Sequence, residues 1–196
     1  MTRFLARLPV LGAALPLAAC FSFGAKPPPS LLTLTAATPI TVGQAQSSAS
    51  ARAIVVAVPT TPAALAALRV PVQTTPTEIA YVENAQWVEP PARLFARLLA
   101  DTLTAGGTVV LTGVQSVDSP AGSLRGELRQ FGFDATARTA VVTFDALLTR
   151  GGGTTVEKRR FEVAVPVAAI DAATAGIALN DAANQVAAQV AGWAAR

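Results

Sequence analysis

Residues 124–165 read LRGELRQFGFDATARTAVVTFDALLTRGGGTTVEKRRFEVAV, and this stretch decides the fold. Apolar and polar residues alternate in part along three of its segments, Leu124–Phe133, Ala140–Leu148 and Val156–Val165. Alternation with a period of two is typical of strands that bury one face. Gly151-Gly152-Gly153 predicts the turn between the last two strands, so the stretch as a whole predicts an antiparallel meander.

A long helix is predicted upstream of this meander. Pro90 and Pro91 stand at its first positions, where proline is tolerated because those amides have no intrahelical partner. Gly106-Gly107 predicts its end. An apolar stripe at helical spacing is expected to face the core and comprises Leu94, Phe95, Leu98, Leu99 and Leu103.

A second helix is predicted near the C-terminus. Asp171 is its expected N-terminal cap, and an alanine-rich run continues to Ala195. We predict an inward-facing stripe made of Ile177, Val186, Val190 and Trp193. Polar residues argue against a membrane-spanning role for this helix, namely Asn180, Asp181, Asn184, Gln185 and Gln189.

The remaining segments predict further strands. Ala53–Val58 is a β-branched run that suits a strand buried on both faces, and Thr108–Leu111 resumes after the first helix in a βαβ-like order. The predicted fold is α+β, a mostly antiparallel mixed sheet with two long helices packed on one face, in a single domain of residues 31–196. Weaker strand or turn candidates are Ser30–Thr35, Leu65–Val72 and Glu78–Val82, and Gln73–Thr77 is left unassigned.

The N-terminus predicts a lipoprotein signal peptide over residues 1–19. Its apolar run of about a dozen residues is too short to span a membrane, which needs about 20. Leu17-Ala18-Ala19-Cys20 resembles a bacterial lipobox, in which the cysteine carries several acyl chains that anchor the protein firmly. Residues 20–30 are then the lipidated cysteine and a proline-rich tether. The alternative is a plain secreted protein with a free thiol at Cys20.

The predicted cleavage also bears on location and charge. Phe21 follows the cysteine where an aspartate would favour inner-membrane retention, so we expect outer-membrane delivery with the domain facing the periplasm. Loss of Arg3 and Arg7 lowers the formal net charge from +3 to +1. Nucleic-acid binding therefore has no electrostatic basis in this sequence.

The composition excludes most familiar enzyme chemistry. The sequence has no histidine and one cysteine, so it offers no Ser-His-Asp or Cys-His pair, no imidazole metal site and no multi-thiolate metal site. Gly151–Gly153 lacks the following Lys-Ser/Thr of a phosphate loop, and a strand comes next. We expect no catalytic residues, no metal and no cofactor.

Two side-chain clusters leave alternatives open. Lys158-Arg159-Arg160 fits a solvated strand face, with Lys158 and Arg160 beside Glu162 and Arg159 beside Glu157; the alternative is contact with an anionic lipid headgroup or an acidic partner. Phe131, Phe133 and Phe144 fit either the core or a lipid-contacting surface.

Residues Tyr81–Pro91, reading YVENAQWVEPP, resemble the ABC-type transport auxiliary lipoprotein family, the PqiC-like proteins, when taken with the leucines of the following helix. Other matches are the lipobox, Leu31–Leu34, Val58-Pro59, the Gly126–Phe133 strand and the alanine-rich end near Trp193. The tyrosine pair common before the first leucines of the family is absent here, where Pro29-Ser30 stand instead.

The resemblance implies a non-enzymatic lipoprotein that serves a transport system of permease, ABC ATPase and MCE-domain protein. Such systems move phospholipids or other hydrophobic molecules between the membranes, and members of the family are thought to self-associate. Trp87, Glu89 and Pro90 are the candidate partner-contact residues. Trp87 and Glu89 equally fit a structural role, with the indole over the helix start and the carboxylate near its positive end. The alternative function is a structural or assembly lipoprotein that braces an envelope complex.

Overall fold

The computed structural model describes residues 30–43, 45–47, 53–112, 122–150 and 154–196. The fold is α+β, as predicted: a mixed sheet of seven strands carries two long helices. The strands are β1 (Ala53–Val56), β2 (Arg69–Thr75), β3 (Glu78–Gln86), β4 (Val109–Thr112), β5 (Gly122–Asp134), β6 (Thr139–Arg150) and β7 (Thr155–Pro166), and the helices are α1 (Pro91–Ala105) and α2 (Ala172–Ala194).

The predicted meander is confirmed and forms the largest part of the sheet. Strands β5, β6 and β7 pair antiparallel over nearly their full lengths. A bulge interrupts β5, because the pairing passes from Leu128 opposite Phe144 to Gln130 opposite Thr143. The extra residue lets Leu128 and Phe131 both face the core although they are three positions apart.

The other edge of β5 pairs with two separate strands. β1 runs parallel to the start of β5, with Val56 opposite Leu124, and β2 runs parallel to its end, with Val72 opposite Phe133. β4 then pairs parallel with β1, and β3 pairs antiparallel with β2. The predicted βαβ-like order is therefore confirmed for β1, α1 and β4, with the β2–β3 hairpin inserted in the crossover.

The predictions for Leu65–Val72 and Glu78–Val82 were right in kind but wrong at their boundaries, whereas the strand predicted over Ser30–Thr35 was wrong. Leu65 belongs to a short 3-10 turn, Ala63–Leu65, rather than to a strand. β2 extends to Thr75 through residues left unassigned, because the Gln73 amide donates hydrogen bonds to the carbonyl oxygens of Thr75 and Glu78 and so satisfies the polar hairpin locally. Ser30–Thr35 forms a single bridge, between Leu32 and Trp87.

Helix α1 matches its predicted signals. Pro90 is its N-terminal cap, Pro91 its first residue, and the chain leaves the helix through Gly106 and Gly107, the latter at φ +86°. The predicted stripe of Leu94, Phe95, Leu98, Leu99 and Leu103 is buried without exception.

Asp171 caps helix α2 as predicted, and its carboxylate accepts a hydrogen bond from the Thr174 amide at 2.8 Å. Its buried face is lined mainly by alanines together with Val186, Val190 and Trp193. The prediction was wrong for Ile177, whose side chain is 78% exposed. Ile177 and Val186 are nine positions apart, or two and a half turns of helix, and therefore project from opposite faces.

Neither α1 nor α2, the two helices within the described ranges, is long and apolar enough to cross a membrane.

Aromatic side chains join the two layers. Phe95 of α1 makes edge contacts with Phe144 at 5.2 Å and with Phe131 at 6.4 Å between ring centroids, and Phe131 contacts Trp87 at 5.2 Å. Phe131, Phe133 and Phe144 are each at most 1% exposed. The core interpretation of these phenylalanines is confirmed, and a lipid-contacting surface at these positions is ruled out.

We predict that Phe95→Ala lowers the free energy of unfolding by about 3–5 kcal/mol, because it removes the ring that bridges α1 to β5 and β6 and leaves a cavity. Chemical denaturation followed by circular dichroism measures this change. Ile177→Ala is the control and should change stability by less than about 0.5 kcal/mol, since Ile177 packs against little. A comparable loss in both variants would contradict this assignment of the core.

Candidate functional site

Trp87 lies at the junction of β3 with the N-terminal segment. Its amide donates to the Leu68 carbonyl at 2.7 Å, and its indole is fully buried against Phe131. The indole nitrogen has no hydrogen-bond partner among the described residues, so Trp87 acts here through packing. Of the two roles left open by the sequence, this position favours the structural one, because a buried indole offers no surface to a partner.

Glu89 and Pro90 lie just outside this buried position. The Glu89 carboxylate accepts a hydrogen bond from the Arg97 guanidinium two turns into α1, and this bond holds the pKa of Glu89 below its ordinary value. Glu89 stays accessible, with 24% of its side chain exposed, and Arg97 is 59% exposed. Pro90 is half-buried, and Val88 before it is 50% exposed. The accessible part of the Trp87–Pro90 motif is therefore Val88, Glu89 and Pro90.

The N-terminal residues 30–37, here called the strap, cross the domain in extended form. Exposed and half-buried residues alternate along the strap, and Leu32, Leu34 and Ala36 pack against the core. The Leu32 amide donates to the Gln86 carbonyl at 2.7 Å, and the Val88 amide donates to the Leu32 carbonyl at 2.9 Å. The strap therefore contacts the Trp87–Pro90 motif directly. It also connects the end of the predicted tether to the core.

Two asparagines of α2 hold the strap in place. The Asn180 side-chain oxygen accepts from the Thr35 amide at 2.8 Å, and the Asn184 oxygen accepts from the Ala37 amide at 2.7 Å. Asn184 also donates to the Thr35 carbonyl at 2.9 Å. In a sheet, these backbone groups of the strap would pair with a neighbouring strand. Here the side-chain amides of α2 make the hydrogen bonds instead.

A groove of about 650 Å³ opens between the strap and the first half of α2. Its walls combine apolar residues, among them Leu32, Gly176 and Ile177, with the polar ends of Asn180 and Asp181. The sequence analysis used Asn180 and Asn184 only as an argument against a membrane helix. The period-two alternation of Leu32 and Leu34 indicated an extended segment at the position of the strap. It did not indicate that α2 would bind this segment.

The basic cluster lies on β7, and its alternation is as predicted. Lys158, Arg159 and Arg160 are exposed, which fits a solvated strand face with cross-strand pairing. The pairing differs in detail, because Arg160 binds Asp145 on β6 through two hydrogen bonds of 2.6 and 2.7 Å. Glu162, the expected neighbour, instead accepts from the Thr143 hydroxyl at 3.0 Å, and Glu157 accepts from Arg150 at 2.9 Å.

Asp145 is the central acid of this charged face. It is 8% exposed, and the hydrogen bonds from Arg160, with further attraction from Arg129 and Lys158, lower the pKa of its carboxyl group. Arg129 lies 3.7 Å from Asp145 and 3.2 Å from Glu127. The arrangement is a network of paired charges on the sheet face away from the helices.

The described residues contain no group of three His, Cys, Asp or Glu side chains placed to hold a metal ion. Cys20 and the Gly151–Gly153 turn lie outside the described residues.

We predict that Asp145→Asn destabilises the protein in a pH-dependent way. Because folding lowers the pKa of Asp145 from 3.8, its contribution is fully present above about pH 4 and is lost as the pH falls through the folded pKa. Denaturation at a series of pH values should therefore show a gap between wild type and variant at pH 7 that narrows toward pH 3. In an Arg160→Gln background most of this pH dependence should disappear; an unchanged dependence would show that Arg160 is not its cause.

Comparison with known proteins adds the family. A profile of the family described as ABC-type transport auxiliary lipoprotein component matches residues 32–191. No curated protein gives a significant match. The crystal structure of a Xanthomonas campestris protein of family DUF330 superposes with a TM-score of 0.70 at 22% identity, over 85% of this chain and 94% of the other. The crystal structure of an uncharacterized protein superposes with a TM-score of 0.63 at 22% identity, over 72% of this chain and 91% of the other.

The two solved structures share the fold, at an identity too low to carry function across. The family profile spans the domain from the strap to the last turns of α2. The chain therefore belongs to the ABC-type transport auxiliary lipoprotein family.

Proposed function

We propose that this chain is a non-enzymatic lipoprotein subunit, anchored in the outer membrane and facing the periplasm, of an ABC transport system that contains an MCE-domain protein. The system would move phospholipids or other hydrophobic molecules across the periplasm. The observation that carries the proposal is the family match over residues 32–191, which covers all seven strands, α1 and most of α2. The family description supplies the ABC transport system and the lipoprotein character, and the MCE partner and the location are our extension of it.

Lipidation of Cys20 is the proposed means of anchoring. The only cysteine of the sequence follows Leu17-Ala18-Ala19, where a lipobox requires it. Ten residues later the chain reaches Ser30, at the start of the strap. The strap is fixed to β3 and to α2, so an acylated Cys20 would transmit its attachment directly to the folded domain.

The proposed partner contact is formed by Glu89 and Pro90, the two candidate partner-contact residues that stay accessible. Glu89 and Pro90 lie at the surface, whereas Trp87 supports them from the core. The Glu89–Arg97 ion pair presents opposite charges side by side at the beginning of α1. We propose that an MCE-domain protein with its ABC ATPase and permease reaches this surface, and that the subunit self-associates.

Crosslinking in cells followed by pull-down and mass spectrometry tests the transport assignment. We expect the tagged, lipidated protein to recover an MCE-domain protein with its ATPase and permease. Glu89→Arg should reduce this recovery several-fold, and the charge swap Glu89→Arg/Arg97→Glu should not restore it, because the ion pair is rebuilt while the accessible charges are exchanged. Recovery restored by the swap would mean that Glu89 acts only by holding Arg97. Recovery of envelope assembly factors without any MCE-domain protein would instead favour the bracing lipoprotein.

We predict that Cys20→Ser releases the domain from the membrane as a soluble periplasmic precursor, because the acyl acceptor is lost. Fractionation of cells and immunoblotting measure the membrane-bound share. Ser22→Ala is the control, since it changes a neighbouring hydroxyl without touching the thiol. Retention of the Cys20→Ser protein at the wild-type level would overturn the anchoring proposal.

A further inference from the structure

We propose that the end of the domain where the strap begins rests against the lipid surface, and that the side chains of Leu31, Val88 and Ile177 enter the headgroup region. We call this set of three the apolar rim. The inference rests on the proposed anchoring through Cys20 and adds a second, direct contact between the folded domain and the bilayer.

The course of the chain brings the rim close to the anchor. Ser30 lines the groove beside Ile177. Ten peptide steps separate Cys20 from Ser30, so these two residues lie at most about 35 Å apart even if the tether is fully extended. The anchored chain therefore enters the domain at this groove, and this end can reach the membrane surface with the tether slack.

The members of the rim are neighbours in the structure. The parallel bridge of Leu32 with Trp87 places Leu31 level with Gln86, so Leu31 and Val88 lie diagonally across from each other on the outward face of the bridge. Leu32 in turn lines the same groove as Ile177. Leu31 and Val88 are each 50% exposed and Ile177 is 78% exposed, so three large apolar side chains are accessible near the start of the strap.

Exposed apolar side chains on an anchored domain gain free energy when they enter the interfacial layer. Each contributes little alone, but anchoring holds them at the membrane at high effective concentration, so weak contacts suffice. Ile177 is the clearest member, because a surface position on a helix otherwise favours a polar residue. Its neighbours Ala173 and Gly176 are small, so the Ile177 side chain projects beyond the helix surface around it.

The charges around the rim indicate apolar rather than electrostatic contact. Glu89 is paired with Arg97, and Asp181 in the groove wall and Asp171 at the helix start are acidic. The basic cluster Lys158–Arg160 lies on β7, and none of its residues lines the groove beside the rim. Contact through the rim should therefore not depend on anionic lipid, unlike a polybasic surface.

The sequence offers a clean way to test this contact, because its single cysteine is acylated in the lipidated protein and any introduced cysteine is the only free thiol. Val88→Cys and Ile177→Cys each place a nitroxide label at the rim. Val156→Cys is the matched control, because Val156 is also β-branched and 59% exposed.

The control position lies far from the rim. Val156 pairs with Thr149, and the adjacent Arg150 donates to the carbonyl oxygens of Trp193 and Ala194 at the other end of α2. Sixteen residues separate Ile177 from Trp193, which is about 24 Å of helix.

The lipidated, labelled full chain is reconstituted into vesicles of phosphatidylethanolamine and phosphatidylglycerol. Co-flotation with the vesicles is measured first, and then the relaxation of each label by oxygen, which enriches in lipid, and by a water-soluble nickel chelate. We expect the oxygen-to-nickel ratio at positions 88 and 177 to exceed that at position 156 several-fold. The excess should persist when phosphatidylglycerol is omitted.

The outcomes separate the two proposals. Protein that does not float with the vesicles overturns the anchoring proposal and the inference with it. Protein that floats, but whose labels at 88 and 177 match the label at 156, leaves the anchor intact and overturns the inference. Dipolar broadening between labels at 177 in place of oxygen exposure would assign the rim to a second copy of the chain, which also overturns it.

Discussion

The edge contacts of Phe95 with Phe131 and Phe144 hold the helix layer on the sheet, and the rest of the structure depends on them. Through Phe131 the same row of rings reaches Trp87, so α1, β5, β6 and the end of β3 share one continuous aromatic contact. Such pairs add about 0.5–1.5 kcal/mol each beyond the area they bury. The bulge at Arg129 is what brings Phe131 onto the core face, so the row requires the irregularity in β5.

Features that depend on local patterns could be predicted from the sequence. The stripe of α1, its proline start and its glycine end all lie within one segment, and each signal has a direct physical cause. The meander followed from alternation along Ala140–Leu148, because one face of β6 packs Phe144 and its apolar neighbours into the core while the other carries the polar Thr143 and Asp145. The cap at Asp171 needed only the position of one carboxylate. The family was recognised separately, by the resemblance of Tyr81–Pro91 and of the order of motifs to known members, and the family profile confirms it.

Features that depend on contacts distant in the sequence could not be predicted. The edge of β5 is shared by β1 and β2, and no periodicity in either strand shows which part of β5 each will join. The strap is held by Asn180 and Asn184, about 145 positions away along the chain. The sequence predicted Glu162, two positions along the same strand, as the neighbour of Arg160. In the structure Arg160 binds Asp145 instead, because a cross-strand partner lies closer than a residue two positions away on the same strand. Ile177 was misplaced because an alanine face is apolar without large side chains, so the largest nearby residue was taken for the core.

The same facts explain how a tryptophan buried in the core can support the proposed partner contact. Trp87 contacts the strap on one side, through the bridge to Leu32, and packs against Phe131 on the other. The strap is therefore joined to the aromatic row through Trp87. Glu89 and Pro90 follow on the next two positions, so their placement at the surface is fixed by the same indole. In the proposed function the subunit is held at its N-terminus and presents Glu89 and Pro90 to a partner, and Trp87 is the buried side chain that lies between the proposed anchor and that surface.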